Sequence, residues 1–239
     1  TLKEVLGNGP DTVSTFLASP VKMETKSIYP IENYGSAMAP FYSTLSIWVG
    51  GIILVAMMKV TLSEDRKKNL NNVKNYQIYF GRYLLFLIMG LIQSGLICLG
   101  DLFFLEIQCE HPFLFVLSGW ITSVVYVNII YTLTVSFGDV GKAICVVLLV
   151  IQVAGSGGTF PIEMTPSVFQ KIYQFLPFTH SMGAMREAIA GLYGNAYVRE
   201  LGILSVFLIL SLLLGLVLRK PVIRLNEMFA EKLEETKLM

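Results

Sequence analysis

Residues 113–160 read FLFVLSGWITSVVYVNIIYTLTVSFGDVGKAICVVLLVIQVAGSGGTF, and the only charged side chains among them are Asp139 and Lys142. A bilayer's hydrocarbon core is about 30 Å thick and accepts roughly 17 to 25 mostly apolar residues as a spanning helix. The stretch therefore reads as two spans, 113–135 and 140–160, joined by a short turn. The second loses its apolar character at Gly155-Ser156-Gly157-Gly158. Both are apolar nearly all round, unlike the one-sided stripe of a helix buried in a water-soluble protein.

Outward from this pair, the same test picks out 38–58, 83–105 and 201–218. The expected fold is an all-α integral membrane protein with five transmembrane helices and an outer amphipathic helical hairpin at 161–199. Composition agrees: the 239 residues are 54% hydrophobic and 15% charged, against about 45–50% and 25% in soluble domains. A net charge of +1 with this much apolar surface excludes a disordered chain and argues against nucleic acid as a partner. Cys98, Cys109 and Cys145 form no CxxC pair, so they read as apolar packing residues rather than a metal or redox site. No cofactor is expected.

Short cytoplasmic loops retain Lys and Arg. With five crossings and the N-terminus outside, twelve of the 18 basic residues lie on the inner segments and six on the outer ones. The C-terminal tail 219–239 is then cytoplasmic. A chain that starts outside leads us to expect an upstream helix and an external region before Thr1. Residues 1–36 are expected to be the end of that region and a linker, and 37–239 the membrane domain. Pro20, Pro30 and Pro40 suggest extended chain descending to the membrane.

Two connecting segments stand out. In the inner loop 61–80, Arg66, Lys67 and Lys68 precede Leu70, Val73, Tyr76 and Phe80 at helical spacing, as in an interfacial helix held by anionic lipid or a docking helix for a cytoplasmic partner. The outer segment is broken by Pro161, Pro166 and Pro177. It should form one short helix through Val168, Phe169, Ile172, Tyr173 and Leu176. A second is expected from about Ser181, with Met182, Met185, Ile189 and Leu192 on one face, ending at Gly191 or Gly194. Pro161, Pro177, Arg186 and Glu187 are the candidate outer-gate residues. Backbone of this kind at membrane depth needs protein or a water-filled cavity around it.

Inside the spans, Asp101, Gln93, Asn128 and Gln152 are the polar candidates. Each reads either as a hydrogen bond or salt bridge holding helices together or as part of an intramembrane polar path. Small residues at Ser46 and Gly50, and at Gly90, Ser94 and Cys98, mark close helix contacts. There is no GxxxxGK[ST], HExxH or GxSxG sequence, and His111 and His180 read as structural. The chain is not expected to be an enzyme.

The run SPVKMETKSIYPIENYGSAMAPFYSTLSIWVGG at 19–51, and GGTFPIEMTPSVFQKIYQFLPFTHSMGAMREAIAGLYGN at 157–195, resemble the C-terminal membrane region of the YhgE/Pip family, the phage-infection-protein-like membrane proteins of Gram-positive bacteria. That family is similar to ABC-2-type exporter permeases, with six helices per protomer and an external region between the first two. The resemblance implies that the five spans are helices two to six and that Arg66, Lys67, Lys68, Leu70 and Val73 belong to a coupling loop that meets a cytoplasmic ATPase. It also implies that the outer hairpin caps a transport path, and that the protein is a homodimer in the plasma membrane. Some members serve as phage receptors, and relatives act with type VII secretion subunits. Two functions follow as expectations: a transport or export component without its own ATPase, or a membrane anchor and scaffold for phage or secretion proteins.

Overall fold

The computed structural model describes residues 31–61 and 74–218. Among them the secondary structure is helical: α1 (Tyr34–Met57), α2 (Asn75–Phe103), α3 (Pro112–Phe137), α4 (Asp139–Gly155), α5 (Ser167–Ile172), α6 (Pro177–Ala190) and α7 (Ala196–Leu213). Short 3-10 turns flank α5 on both sides, and a π-helical turn, Leu214–Leu218, ends α7. Four helices are long and apolar enough to cross a membrane: Tyr34–Met57, Tyr76–Phe103, Pro112–Phe137 and Ala196–Val217. The fourth expected span stops at Gly155, where the glycine run begins, and leaves a helix of 17 residues.

Several helix ends differ from the sequence expectation because they depend on partners that hydropathy does not reveal. The chain was expected to stay extended to Pro40, with the membrane domain starting at 37, but α1 begins at Tyr34. Asn33 caps it by accepting from Ser36 N at 2.8 Å. Pro40 sits in the second turn, buried, a position that membrane helices tolerate. α2 starts at Asn75 rather than 83, absorbing Tyr76 and Phe80, which are 50% and 42% exposed. Its packed face is Tyr79, Tyr83 and Phe86 instead, which gather against Tyr131 of α3. α6 starts at Pro177 rather than Ser181, with the proline in the first turn where its missing N–H costs nothing. α7 takes in Arg199 and Glu200, which have polar partners there, and so starts before 201.

Helix ends alternate between two ends of the bundle. At one end Gln108, between α2 and α3, accepts from Glu32 N at 2.8 Å and donates through its own N to Ser36 Oγ at 2.9 Å. In the same connection Glu110 N and His111 N donate to Ile189 O and Ala188 O at the end of α6. At the other end α3 reverses into α4 through Gly138, whose φ of +61° suits glycine. Gly141 then lies so close to α3 that a Cβ would stand 2.1 Å from Leu133 O.

α3 is the central element and packs on α1, α2, α4, α6 and α7. Lipid is as apolar as leucine, so packing and interhelical hydrogen bonds hold such bundles together. The faces left outward are apolar, as at Leu84, Ile88, Ile92 and Leu96 of α2 and Val206, Ile209, Leu213 and Val217 of α7.

Candidate functional site

α6 is 14 residues long, about 21 Å at 1.5 Å per residue and too short to span. Yet it packs on α1, α3 and α7, and every residue but Gly183 and Arg186 is buried. At its start Phe178 stacks on Tyr126 with ring centroids 5.5 Å apart and meets Trp48 edge-on at 5.7 Å. Trp48 Nε1 donates to Cys145 O at 3.2 Å. Tyr126 and Ser181 hydroxyls lie 2.6 Å apart. This one cluster ties α6 to α1, α3 and α4.

The polar residues of α6 are each engaged. His180 Nδ1 lies 2.6 Å from Glu200 Oε2 of α7, and its Nε2 lies 2.9 Å from Gln174 O. A carboxylate and a carbonyl both accept, so the ring makes both bonds only as the doubly protonated imidazolium. Burial opposes that charge, but the bonds to Glu200 and Gln174 outweigh it and raise the pKa above its ordinary value. His180 thereby clamps the 3-10 turn before α6 to α7. Arg186 Nη2 donates to Gly157 O at 3.3 Å, holding the bend after α4, where Gly157 has φ +66°. Glu187 accepts from Tyr193 N at 2.7 Å and fixes the turn between α6 and α7. Pro161 precedes the 3-10 turn Ile162–Met164, and Pro177 opens α6.

The four intramembrane polar candidates have separate surroundings, and none is hydrogen-bonded to another. Asp101 accepts from Ser43 of α1. The Gln93 side chain lies on Gly50, where a Cβ would overlap it at 1.5 Å. Asn128 is fully buried, donating to Ser211 of α7 and accepting from Tyr79 OH at 3.2 Å. Gln152 Oε1 accepts from Phe178 N at 3.3 Å. Gln152 also lines a cavity of about 310 Å³ between α3, α4 and α7, together with Trp48, Leu133, Leu148, Pro177 and Leu210.

The amino-acid sequence of this bundle matches a known family pattern. The family described as "ABC-2 family transporter protein" matches residues 8–217. The chain belongs to that family. It is also 30% identical over 180 residues to "Uncharacterized protein YhgE" of Bacillus subtilis (strain 168), an alignment covering 75% of this chain and 23% of the relative. The chain thus spans about a quarter of the length of the curated relative it matches. No solved structure matches it significantly.

For this ABC-2 chain, the candidate coupling residues Arg66, Lys67, Lys68, Leu70 and Val73, and the tail 219–239, lie outside the described residues, as do residues 1–30. Sequence reasoning did not single out Glu200, Tyr79 or Trp48. A signal for Glu200 was present: an acidic side chain at the edge of an apolar run, with a histidine one hairpin away. The Asn128 bonds give a direct test. Asn128→Leu is expected to loosen the α2, α3 and α7 contact by about 1 kcal/mol, read as a lower midpoint in detergent unfolding. Leu133→Ala, at a half-buried site without a polar group, serves as the comparison.

Proposed function

We propose that this chain is the permease region of an ABC-2-type export component that is driven by a separate ATPase. The observation that carries the reading is α6, a helix too short to span yet buried at one end of an alternating bundle, as an element that closes a path would be. In this reading α4 also crosses, which makes five spans in all. Its 17 residues sit at the lower limit of roughly 17 to 25, and the glycine bend completes the crossing. The alternation of ends and the twelve-to-six division of basic residues support α6 and the α2–α3 connection facing outward and the C-terminus facing the cytoplasm. Two copies would frame the path, and the Arg66–Lys68 loop would receive the ATPase.

Affinity purification of the full-length protein from its native membranes tests this. An ATPase subunit is expected to co-purify. Its recovery should fall about tenfold when Arg66, Lys67 and Lys68 are changed together to Glu, because three interface charges then repel instead of attract. Recovery of no ATPase, or recovery indifferent to the charge reversal, would overturn the reading.

A further inference from the structure

Arg186 is half-buried on α6, and of the donors on its guanidinium only Nη2 is engaged, by Gly157 O at 3.3 Å. Among the described residues no carboxylate pairs with it: the ion pairs join Lys142 to Asp139, and Glu200 to His180 and Arg199. Burial pushes the guanidinium below its ordinary value, opposed by Tyr173 alone. A cation withdrawn from water needs an anion or several hydrogen bonds to offset its lost hydration. Arg186 has one long bond to a neutral carbonyl.

Two further donors without partners stand at the same bend. Ser156, the residue before Gly157, is fully buried, and its Oγ has no hydrogen-bond partner. The Tyr173 ring lies against Gly157, where a Cβ would stand 3.3 Å from Cε2, and Tyr173 interacts electrostatically with Arg186. Tyr173 is hydrogen-bonded through its backbone, to Phe169 O, Leu176 N and Thr179 Oγ1, and its hydroxyl has no partner among the described residues. Unpaired polar groups of this kind are exceptional in native structures. Here three of them, from the end of α4, the 3-10 turn Tyr173–Phe175 and α6, meet around one glycine. The bend is also recessed. Gly158 lies on Phe41, seven residues past the start of α1, so closely that a Cβ would stand 2.2 Å from the ring. Met185, beside Arg186, reaches Gly119, seven residues past the start of α3. Seven residues are about 10 Å of helix, so the bend lies below the ends of α1 and α3 and out of line with lipid headgroups. Next to it α5 packs Phe169 on Gly155 and leaves Gln170 and Lys171 exposed. Hydrocarbon does not solvate such groups, so water reaches this side.

We propose that Arg186, Ser156 and Tyr173 form a binding site for the phosphate group of a water-soluble molecule. A planar carboxylate would engage the parallel N–H pair of the guanidinium, whereas a tetrahedral phosphate also offers oxygens to hydroxyls on the other two segments. The recessed level favours a soluble phosphate over a phospholipid headgroup. The site can be occupied whether or not cargo moves, and in the permease reading it gives the path a preference for phosphate-bearing cargo.

The test uses the wild-type full-length protein in neutral detergent and the arginine-selective reagent phenylglyoxal. Adducts at each arginine are followed by mass spectrometry as inorganic phosphate is raised at constant ionic strength. Labelling of Arg186 is expected to slow about tenfold at saturation, with half-protection at about 1 mM phosphate. Arg199, 69% exposed, should be labelled at an unchanged rate. Tyr173→Phe and Ser156→Ala each remove one hydrogen bond and should raise the half-protecting concentration by about threefold to tenfold. Protection is read on the wild type, so a variant that fails to fold leaves the test standing. No protection of Arg186, or equal slowing at Arg199, would overturn the proposal. So would acetate protecting as well as phosphate, or dihexanoyl phosphatidylglycerol protecting better, which would give the site to a carboxylate or to a lipid headgroup. None of these readouts involves an ATPase, so this site and the permease reading fail separately.

Discussion

Phe178→Ala is expected to destabilise the bundle by about 3 kcal/mol, the low end of what deleting a buried aromatic ring costs. Phe178 is fully buried between Tyr126 and Trp48, and the cavity left behind would open at the junction of α1, α3 and α6. Because lipid offers apolar surroundings of its own, the loss is one of dispersion contacts and shape rather than of hydrophobic transfer. Phe103→Ala makes the matching control: Phe103 is 72% exposed at the end of α2 and should change stability by less than about 0.5 kcal/mol. Reversible unfolding in mixed detergent micelles reads both. Equal effects for the two variants would mean that α6 is not seated in the bundle as described.

Stability should also fall as the pH is raised, through His180. Its pKa is raised in the folded protein, with burial opposing and the bonds to Glu200 and Gln174 prevailing. A group of this kind contributes its full stabilisation below its unfolded value, about 6.5. The contribution is lost as pH climbs through the higher folded value. The thermal midpoint should therefore be higher at pH 6 than at pH 9, and His180→Phe should remove that part of the difference. Glu200→Leu strands the ring without its anion and is expected to cost about 3 kcal/mol at pH 6, since removing one partner of a buried pair leaves an uncompensated charge. Arg199 also reaches Glu200, at 3.0 Å, but its side chain is 69% exposed, and such pairs contribute little. A pH profile that survives His180→Phe would assign the dependence to other groups.

These two sites mark the line between what the sequence disclosed and what it did not. The apolar runs at 38–58, 83–105, 113–135 and 201–218 each correspond to a helix, because a lipid-facing segment must be apolar wherever its neighbours lie. The ends were less legible. Asn33, Pro177 and Glu200 set them through a cap, a helix start and an ion pair, and such contacts depend on which elements meet. The hairpin's two-helix form was readable from its prolines and its 3.6-residue spacing. The burial of its second helix was not, because Thr179, His180, Ser181, Arg186 and Glu187 give it an interfacial composition. Burial is tolerated since each of Ser181, His180, Arg186 and Glu187 bonds to another segment. For the intramembrane polar candidates, sequence located the residues but not their partners. Asn128 bonds to Tyr79 and Ser211 and Gln152 to Phe178, while Gln93 and Asp101 face α1.

Which ends of the bundle face outward is the point on which the permease account turns. Cys109 is a poor reporter: it is half-buried, its Sγ lies 3.5 Å from Ala188 O, and burial pushes its thiol up. Single cysteines at exposed positions in the full-length protein serve better, in a Cys109→Ala background. Leu105 and Met164 are 70% and 79% exposed at one end, and Met57 and Val140 are 80% and 57% exposed at the other. In intact cells a membrane-impermeant maleimide is expected to label Leu105→Cys and Met164→Cys, and to reach Met57→Cys and Val140→Cys only after permeabilisation. Labelling of Leu105→Cys and Met164→Cys from opposite sides, or of Val140→Cys from outside, would contradict the five crossings and the outward-facing hairpin.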